Sequence, residues 1–572
     1  MKRRKFLRNV GVAGSGAFTL AGIPLNLQSK SLNMFRSVAG SDNDKVLVIL
    51  QLHGGNDGLN MLIPVEQYDT YYSRRANIAI PAKNGVRKMI PLDGTLPIAD
   101  QVGLHPDMLA AKKLYDKGKM TFVQGVSYKN NNGSHFRGRD IRFMGGGSDD
   151  YYSSGWVGRY LQNDIAPKVY PDDYPNSDNK DPLAIELGSE VSLIFHQEGN
   201  IPASISLGND PESLARLVEE LEGFEDEGLD PRGTPPEFLR ASPYGKEMDW
   251  LLGLEDKTED YAGRLFDVYQ KASESSVPYP ETYPFNAPKN SLRNRLTPQL
   301  KLIAKLLDGG GDGVKTKVFL LKLGGFDTHA EQVESYDPTM GVHAAQLFHI
   351  TSAMEAFQKD LQERGIEDRV LTITTSEFGR RIASNGSYGT DHGKGAPIMI
   401  FGKGVQPGVV GTNPDLTQSN VEMQHDYRQL YATILQDWMG VDESIVTNSV
   451  FYGNFIDGPN EDGGTYTKLP LIGNNLVTSV DDFLNRRFFL EQNHPNPAGN
   501  YTNIKFYVNS SGQLQLSILD MKGRIVKKVL SGYHSQGEYN VPVDLHGIQS
   551  GTYIYQISQG EWKASAKMIV IK

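Results

Sequence analysis

Three short motifs carry the residues best suited to chemistry: Gly324-Gly325-Phe326-Asp327-Thr328-His329, Thr374-Thr375-Ser376-Glu377-Phe378-Gly379-Arg380 and Thr390-Asp391-His392-Gly393. Asp327 and His329 stand two residues apart, so in an extended segment they project to the same side and can chelate a divalent ion. Glu377 adds a second carboxylate beside the Ser376 hydroxyl, and His392 adds an imidazole. Carboxylates and imidazoles without sulfur suit zinc, manganese, magnesium or calcium, and leave the identity of the metal open. Each of these residues, taken singly, also reads as a strand-end cap or turn former. Arg380 offers a guanidinium fork that can clamp phosphate or sulfate, or can pair with Glu377.

Two further segments offer reactive groups. His53-Gly54-Gly55-Asn56-Asp57-Gly58 is a tight turn in which backbone can approach a ligand closely. In it Asp57 and His53 are candidate metal ligands and Asn56 a candidate oxyanion donor, against the alternative of a plain turn. Ser134 stands where a helix N-cap would, behind Asn130-Asn131-Asn132-Gly133 and ahead of a helix-like stretch. There it reads either as an ordinary cap or as a nucleophile activated by a metal or by His135. That loop lacks a Gly-x-Ser-x-Gly elbow, which argues against an α/β-hydrolase.

These motifs must be held by a framework, and the hydrophobic pattern describes one. Lys45–Leu52 is a near-continuous apolar run that ends at His53, as expected of a strand buried on both faces. Similar strands are expected at Met120–Val126, Lys317–Leu323, Arg369–Thr375 and Pro397–Phe401. Helices are expected at Asp107–Asp116, Pro211–Gly223, Leu292–Leu307 and from Val342 to Arg364. In the last, Leu347, Ile350, Met354, Phe357 and Leu361 recur every three or four residues and mark one buried stripe. The alternation predicts an α/β fold with a mostly parallel sheet and helices on both faces, spanning residues 44–455. In such sheets ligands gather at the carboxyl ends of the strands, where the three motifs fall.

The chain has 572 residues, a net charge of −10 and no cysteine. Acidity argues against a nucleic-acid footprint, and the missing cysteines exclude thiolate sites and a disulfide framework. Lys2-Arg3-Arg4-Lys5-Phe6-Leu7-Arg8 precedes a Gly- and Ala-rich apolar stretch, so residues 1–30 read as an export signal of the twin-arginine type. That stretch is short and broken by glycines and Pro24, which argues against a stable transmembrane span.

Residues 456–491, with Pro, Asn, Asp and Gly, read as a linker. Residues 492–572 change character: Leu514, Leu516 and Ile518 alternate with polar residues, and Gly-bearing turns recur, which predicts a small all-β sandwich. The Pro495-Asn496-Pro497 opening, the Asp520-Met521-Lys522-Gly523-Arg524 turn, Ser550-Gly551-Thr552-Tyr553 and the terminal Lys572 resemble the type A C-terminal sorting domain of the type IX secretion system of the Bacteroidota. That resemblance implies an address, with the cell surface or the extracellular space as destination. The partners expected are thus the twin-arginine and type IX machineries, and the Arg380 fork allows an anionic ester substrate as a further one.

The joint pattern of the motifs between residues 44 and 445 resembles the domain-of-unknown-function family 1501, which is similar to the alkaline phosphatase and sulfatase clan. The resemblance implies an alkaline-phosphatase-like α/β/α sandwich binding one or two divalent metals. It implies Asp327, His329 and His392 as ligands, Glu377 at a position usually held by Asp, and Ser134 near the nucleophile's place. Phe378 stands where the clan carries a second-metal histidine, which favours one metal position over two. The function implied is metal-dependent hydrolysis of phosphate or sulfate esters by an exported protein. The alternative is a non-catalytic surface or binding protein that keeps the fold with a degenerate site.

Overall fold

The computed structural model describes residues 18–20, 23–25, 43–165, 174–208, 260–473 and 488–572, save residues 84, 178, 200, 461, 491–492, 509–511, 521–522, 535–536 and 560–561. The twin-arginine segment and the helix expected at Pro211–Gly223 lie outside them. Two compact units are formed, Met1–Asn474 and Asn475–Lys572.

The first unit is built on one large sheet. Its strands are β1 (Val46–Leu52), β2 (Met120–Ser127), β3 (Ala184–Leu187), β4 (Ile205–Leu207), β5 (Val318–Leu323), β6 (Val370–Thr375), β7 (Ala396–Phe401), β8 (Gly408–Val410) and β9 (His425–Asp426). Their spatial order is β8, β2, β7, β6, β1, β5, β3, β4, with β9 also on β2. Strand β1 pairs in parallel with both β5 and β6, while β7 runs antiparallel to its neighbours β6 and β2. The sheet is therefore mostly parallel, with one reversed strand.

Every residue of β1 is buried, as its unbroken apolar run requires. Val48, Leu50 and Leu52 face one core, shared with helices α1 (Leu109–Asp116), α3 (Leu296–Asp308) and α4 (Val342–Glu363). The α4 stripe Leu347, Ile350, Met354, Phe357 and Leu361 is wholly inside that core. Leu47 and Ile49 face the opposite core, with α2 (His135–Met144) and α5 (Tyr427–Asp437). The result is an α/β/α sandwich. Residues 456–473, expected to be linker, instead bury Ile456, Leu469 and Leu471 in this second core.

The direction of the strands places the motifs. The loops that follow β1, β2, β5 and β6 leave from one edge of the sheet, and because β7 is reversed, the segment that precedes it reaches that same edge. His53, His135, Asp327, Glu377 and His392 are thereby gathered from five separate stretches of chain.

The second unit pairs two antiparallel sheets, one of Phe488–Leu490, Tyr501–Val508 and Gly537–Asp544, the other of Ile525–His534, Gly512–Leu519, Gly551–Gln559 and Trp562–Val570. Leu514, Leu516 and Ile518 point into its core with Ile504, Phe506, Tyr555 and Val570. The Asp520–Arg524 turn is closed by the Arg524 amide donating to Asp520 Oδ1 at 3.0 Å. Among the described residues no helix is long and apolar enough to cross a membrane.

Because β1 is central and packed on both faces, Ile49→Ala should cost about 2–5 kcal/mol of stability in the first unit. Urea unfolding followed by tryptophan fluorescence checks this, and a loss under 1 kcal/mol would contradict the burial described.

Candidate metal centre

Helix α2 begins at His135, with Ser134 as its N-cap: the hydroxyl accepts from the Arg137 amide at 3.5 Å. His135 Nδ1 lies 2.8 Å from Glu377 Oε1, an oxygen that also accepts the Gly54 amide at 2.8 Å. The carboxylate fixes the ring, and Nε2 is turned toward Asp327 Oδ2, 3.4 Å away. Nε2 is buried and has no hydrogen-bond partner.

His392 is held in the same manner. Its Nδ1 lies 2.7 Å from the Gly133 carbonyl, an acceptor only, so that nitrogen carries the proton and Nε2 presents a lone pair. Burial and the nearby Arg380, His135 and His329 push its pKa below the ordinary imidazole value, outweighing the Gly133 hydrogen bond. His329 places Nδ1 3.5 Å from Asp391 Oδ1. Its Nε2 lies 2.8 Å from Nε2 of His392. Two imidazole lone pairs cannot face each other at that distance unless a proton or a cation lies between them.

Asp327 completes the group. Its Oδ1 is 3.3 Å from His329 Nε2 and 3.7 Å from His392 Nε2. Partial burial opposes its charge, but the hydrogen bond and charge of Arg380, with His135 and His329, prevail and hold the carboxyl below its usual range. A tetrahedron with bonds of about 2.0–2.1 Å has edges of about 3.3–3.4 Å. The distances from Asp327 Oδ1 to His329 and His392, 3.3 and 3.7 Å, and from Oδ2 to His135, 3.4 Å, are near such an edge, whereas the 2.8 Å between the Nε2 atoms of His329 and His392 is shorter than one. His135, Asp327 and His392 form a group of donors that could hold a metal ion; His329 stands beside that group, its Nε2 2.8 Å from that of His392.

Three other sequence candidates sit elsewhere. Asp57 is fully buried and both its oxygens accept from Arg75 Nη1, at 2.8 and 3.0 Å, while Gln332 donates at 2.6 Å. Burial works to raise its pKa, but Arg75, His343 and these hydrogen bonds prevail and lower it. It anchors the turn and does not join the donor group. Glu377 lies behind the cluster and orients His135. Arg380, read as an anion clamp or as a partner of Glu377, is buried with its donors committed elsewhere: to the Gly55 carbonyl at 2.8 Å, Thr390 at 2.9 Å, Phe326 at 3.0 Å, Gly54, and Asp327 Oδ1 at 2.8 Å. Ser134 is exposed beside His135.

The sequence motifs did not single out His135 as a ligand. The signal was its place at the first helical position after a strand-end loop. Phe378 has a positive role as well: its buried ring packs 4.9 Å from His135 and 4.3 Å from His392, ring centre to ring centre. Gly54, at φ +125°, is required because a Cβ there would lie 2.1 Å from the Asp327 amide nitrogen.

Residues 300–453 match a family model described as "Protein of unknown function (DUF1501)", and residues 493–572 match one described as "Secretion system C-terminal sorting domain". The second match marks the protein for export to the cell surface or extracellular space. No curated protein matches the chain. Among solved structures the chain is similar to dimeric latent PorU from Porphyromonas gingivalis, with 22% identity, a TM-score of 0.13, and coverage of 15% of this chain and 9% of that one. It is also similar to the PsFucS1 sulfatase from Pseudoalteromonas sp., with 12% identity, a TM-score of 0.30, and coverage of 91% of this chain and 89% of that one. For the lipoteichoic acid synthase LtaP from Listeria monocytogenes the identity is 8%, the TM-score 0.30, and the coverage 89% of this chain and 88% of that one. The chain thus spans only a small part of PorU but most of the other two.

Asp57→Asn would leave Arg75 charged and without its partner, at an expected cost of about 3–5 kcal/mol. The wild-type pair contributes its stability fully above the unfolded Asp pKa of about 3.9 and loses it as pH falls through the lower folded value. Acid unfolding should therefore show a steeper loss of stability below about pH 4 in the wild type than in Asp57→Asn. Parallel curves would contradict the pairing.

Proposed function

We propose that this exported protein is a hydrolase of phosphate or sulfate esters that holds one divalent metal ion at the strand-end cluster. The observation that carries the reading is the convergence of three imidazole Nε2 atoms on Asp327, with His135 Nε2 buried and unpartnered. Three imidazoles and one carboxylate suit zinc or another nitrogen-binding transition ion better than magnesium or calcium, which prefer oxygen. His135, His329, His392 and Asp327 would hold the ion. When bound, such an ion supplies Lewis acidity toward an anionic ester.

The chain's own groups do the rest. Glu377 and the Gly133 carbonyl keep the protons of His135 and His392 on Nδ1, so that both Nε2 atoms stay available. Phe378 closes the face of both rings with apolar surface. Ser134 or a water supplies the attacking oxygen. If water attacks, its oxygen bonds to phosphorus or sulfur as the bridging P–O or S–O bond breaks, and the proton it loses goes to the departing alkoxide, giving alcohol and inorganic anion; if Ser134 attacks, its hydroxyl proton goes to the alkoxide and the serine ester so formed is then hydrolysed by water, which releases the anion and restores the hydroxyl.

A second reading, a non-catalytic binding protein, is favoured by one observation: the donors of Arg380 are spent on backbone carbonyls and Asp327, leaving it no fork for an ester anion.

Elemental analysis should find about one transition-metal ion per chain, and His392→Ala and Asp327→Ala should lose it. Glu377→Gln should weaken metal affinity about 10–100-fold. With p-nitrophenyl phosphate and p-nitrophenyl sulfate, metal-dependent turnover supports the hydrolase. Stoichiometric metal without turnover supports the second reading, and metal-free protein from its native export route would sink the metal centre itself. If the hydroxyl attacks, Ser134→Ala lowers kcat by at least about a hundredfold.

A further inference from the structure

We infer that Gln332, which offers no metal donor itself, is a positioning residue: its one amide sets the spacing of the two segments that bring Asp327 and His392 together. The side chain is fully buried. Its Nε2 donates to Asp57 Oδ2 at 2.6 Å, while its Oε1 accepts the Thr328 hydroxyl at 2.9 Å and the Thr390 hydroxyl at 3.0 Å. The inference rests on the metal-centre reading for its effect on an ion; the link between the segments stands without it.

Local geometry puts both threonines where such a link is needed. Phe326 and Thr328 are buried while Asp327 and His329 are exposed, the alternation of an extended chain, so Thr328 faces inward between two residues that face the cluster. Thr390 is buried as well and stands two residues before His392. Arg75 holds Asp57 as a carboxylate, which can only accept, so the amide nitrogen of Gln332 belongs to Asp57 and the carbonyl to the hydroxyls. A carbonyl oxygen has two lone pairs, and here each takes one hydroxyl. A single atom thus fixes the two threonines relative to each other. Asp327 and His392 are one and two residues from them, and backbone spans at most ~3.6 Å per residue, so that spacing passes on to the donors.

A second observation points to the same junction. The Thr390 amide donates to the Thr328 carbonyl at 3.0 Å, the Gln332 amide to Tyr388 at 2.9 Å and the Glu331 amide to Ser387 at 3.0 Å, so the two segments are closed on each other along their backbones. Glu331 and Tyr388 both lie in the left-handed region, at φ +52° and +57°. Residues other than glycine adopt it at a cost and keep it only where surrounding contacts over-determine the backbone. Gly389 leaves no room for a side chain, because a Cβ there would lie 2.4 Å from the His329 carbonyl carbon. The junction is therefore strained and close, and Gln332 ties it to the turn after β1 through Asp57. A buried polar side chain is costly unless its bonds are made, and those of Gln332 are made to three different stretches of chain.

The test uses full-length protein stripped with a chelator and titrated with Co2+ in competition with a chelating dye. Q332M keeps the length of the side chain and removes its hydrogen bonds. It should bind Co2+ at least about tenfold more weakly than the wild type and give a different visible spectrum with the ion. In metal-free protein, amide exchange followed by mass spectrometry should be faster in residues 328–332 and 387–392. Q332M also leaves two buried hydroxyls without an acceptor, which lowers stability by itself. The triple variant Q332M/T328V/T390V removes those hydroxyls, so it should melt nearer the wild type and still bind Co2+ at least about tenfold more weakly. Recovery of affinity together with melting temperature means that the amide serves packing alone and overturns the inference, as does wild-type affinity in Q332M. If the wild type takes up no Co2+, the metal centre fails and exchange decides the link: faster exchange in both segments of the triple variant supports it, and wild-type exchange overturns it.

Discussion

The architecture of the candidate metal centre depends on one buried guanidinium. Arg380 leaves the end of β6 and donates to the carbonyls of Gly54 and Gly55 after β1, Phe326 after β5 and Thr390 before β7, as well as to the Asp327 carboxylate. A charge taken out of water is costly unless its hydrogen bonds are met, and here every contact that meets them belongs to a loop that carries or adjoins a cluster residue. The loops are therefore held relative to one another before any ion arrives, which lowers the ordering cost that binding would otherwise carry. A lysine could not repeat this, because a single ammonium cannot reach carbonyls on several sides. Asp57 and Arg75 do similar work one layer out, tying the first turn to the Arg381 and Ile382 carbonyls.

This explains why some of the protein could be read from its residues and some could not. The β1 run and the α4 stripe follow from local hydrophobic periodicity, which is a property of the chain itself. The places of Asp327, His329 and His392 at strand ends follow from the same pattern once a parallel sheet is assumed. The direction of Arg380 does not, because its targets are backbone carbonyls that any residue would offer and that only the tertiary fold brings near. Nor does the pairing of Asp57 with Arg75, which makes an apparent metal ligand into an anchor. His135 was in view beside Ser134, but its function depends on Glu377, 242 residues away in sequence.

Phe378 shows how a departure from an expected motif can have a positive physical reading. A histidine there would add a donor for a second ion. The phenyl ring instead supports the faces of His135 and His392, keeps water from that side, and lowers the local dielectric around the donor group. In such surroundings an unmatched imidazole nitrogen is more costly than in water, and the attraction of the site for one cation rises accordingly. The ring thus closes the space beside the donor group instead of adding a donor to it.

The remaining question is how a centre with no free arginine could handle an anionic ester. With Arg380 committed to backbone, charge complementarity at the cluster would have to come from the ion and from donors outside it. Lys289, Arg293 and Arg295 lie outside it, in a cleft reached through Gly324 and Gly325. Placing the cations there, away from the metal, separates two tasks that otherwise conflict: an arginine against the histidines would repel the cation they hold, whereas arginines in the adjoining cleft can retain a charged substrate without weakening that site. Lys289, Arg293 and Arg295 thus lie outside the donor group, and the guanidinium of Arg380, which touches it, is paired with Asp327.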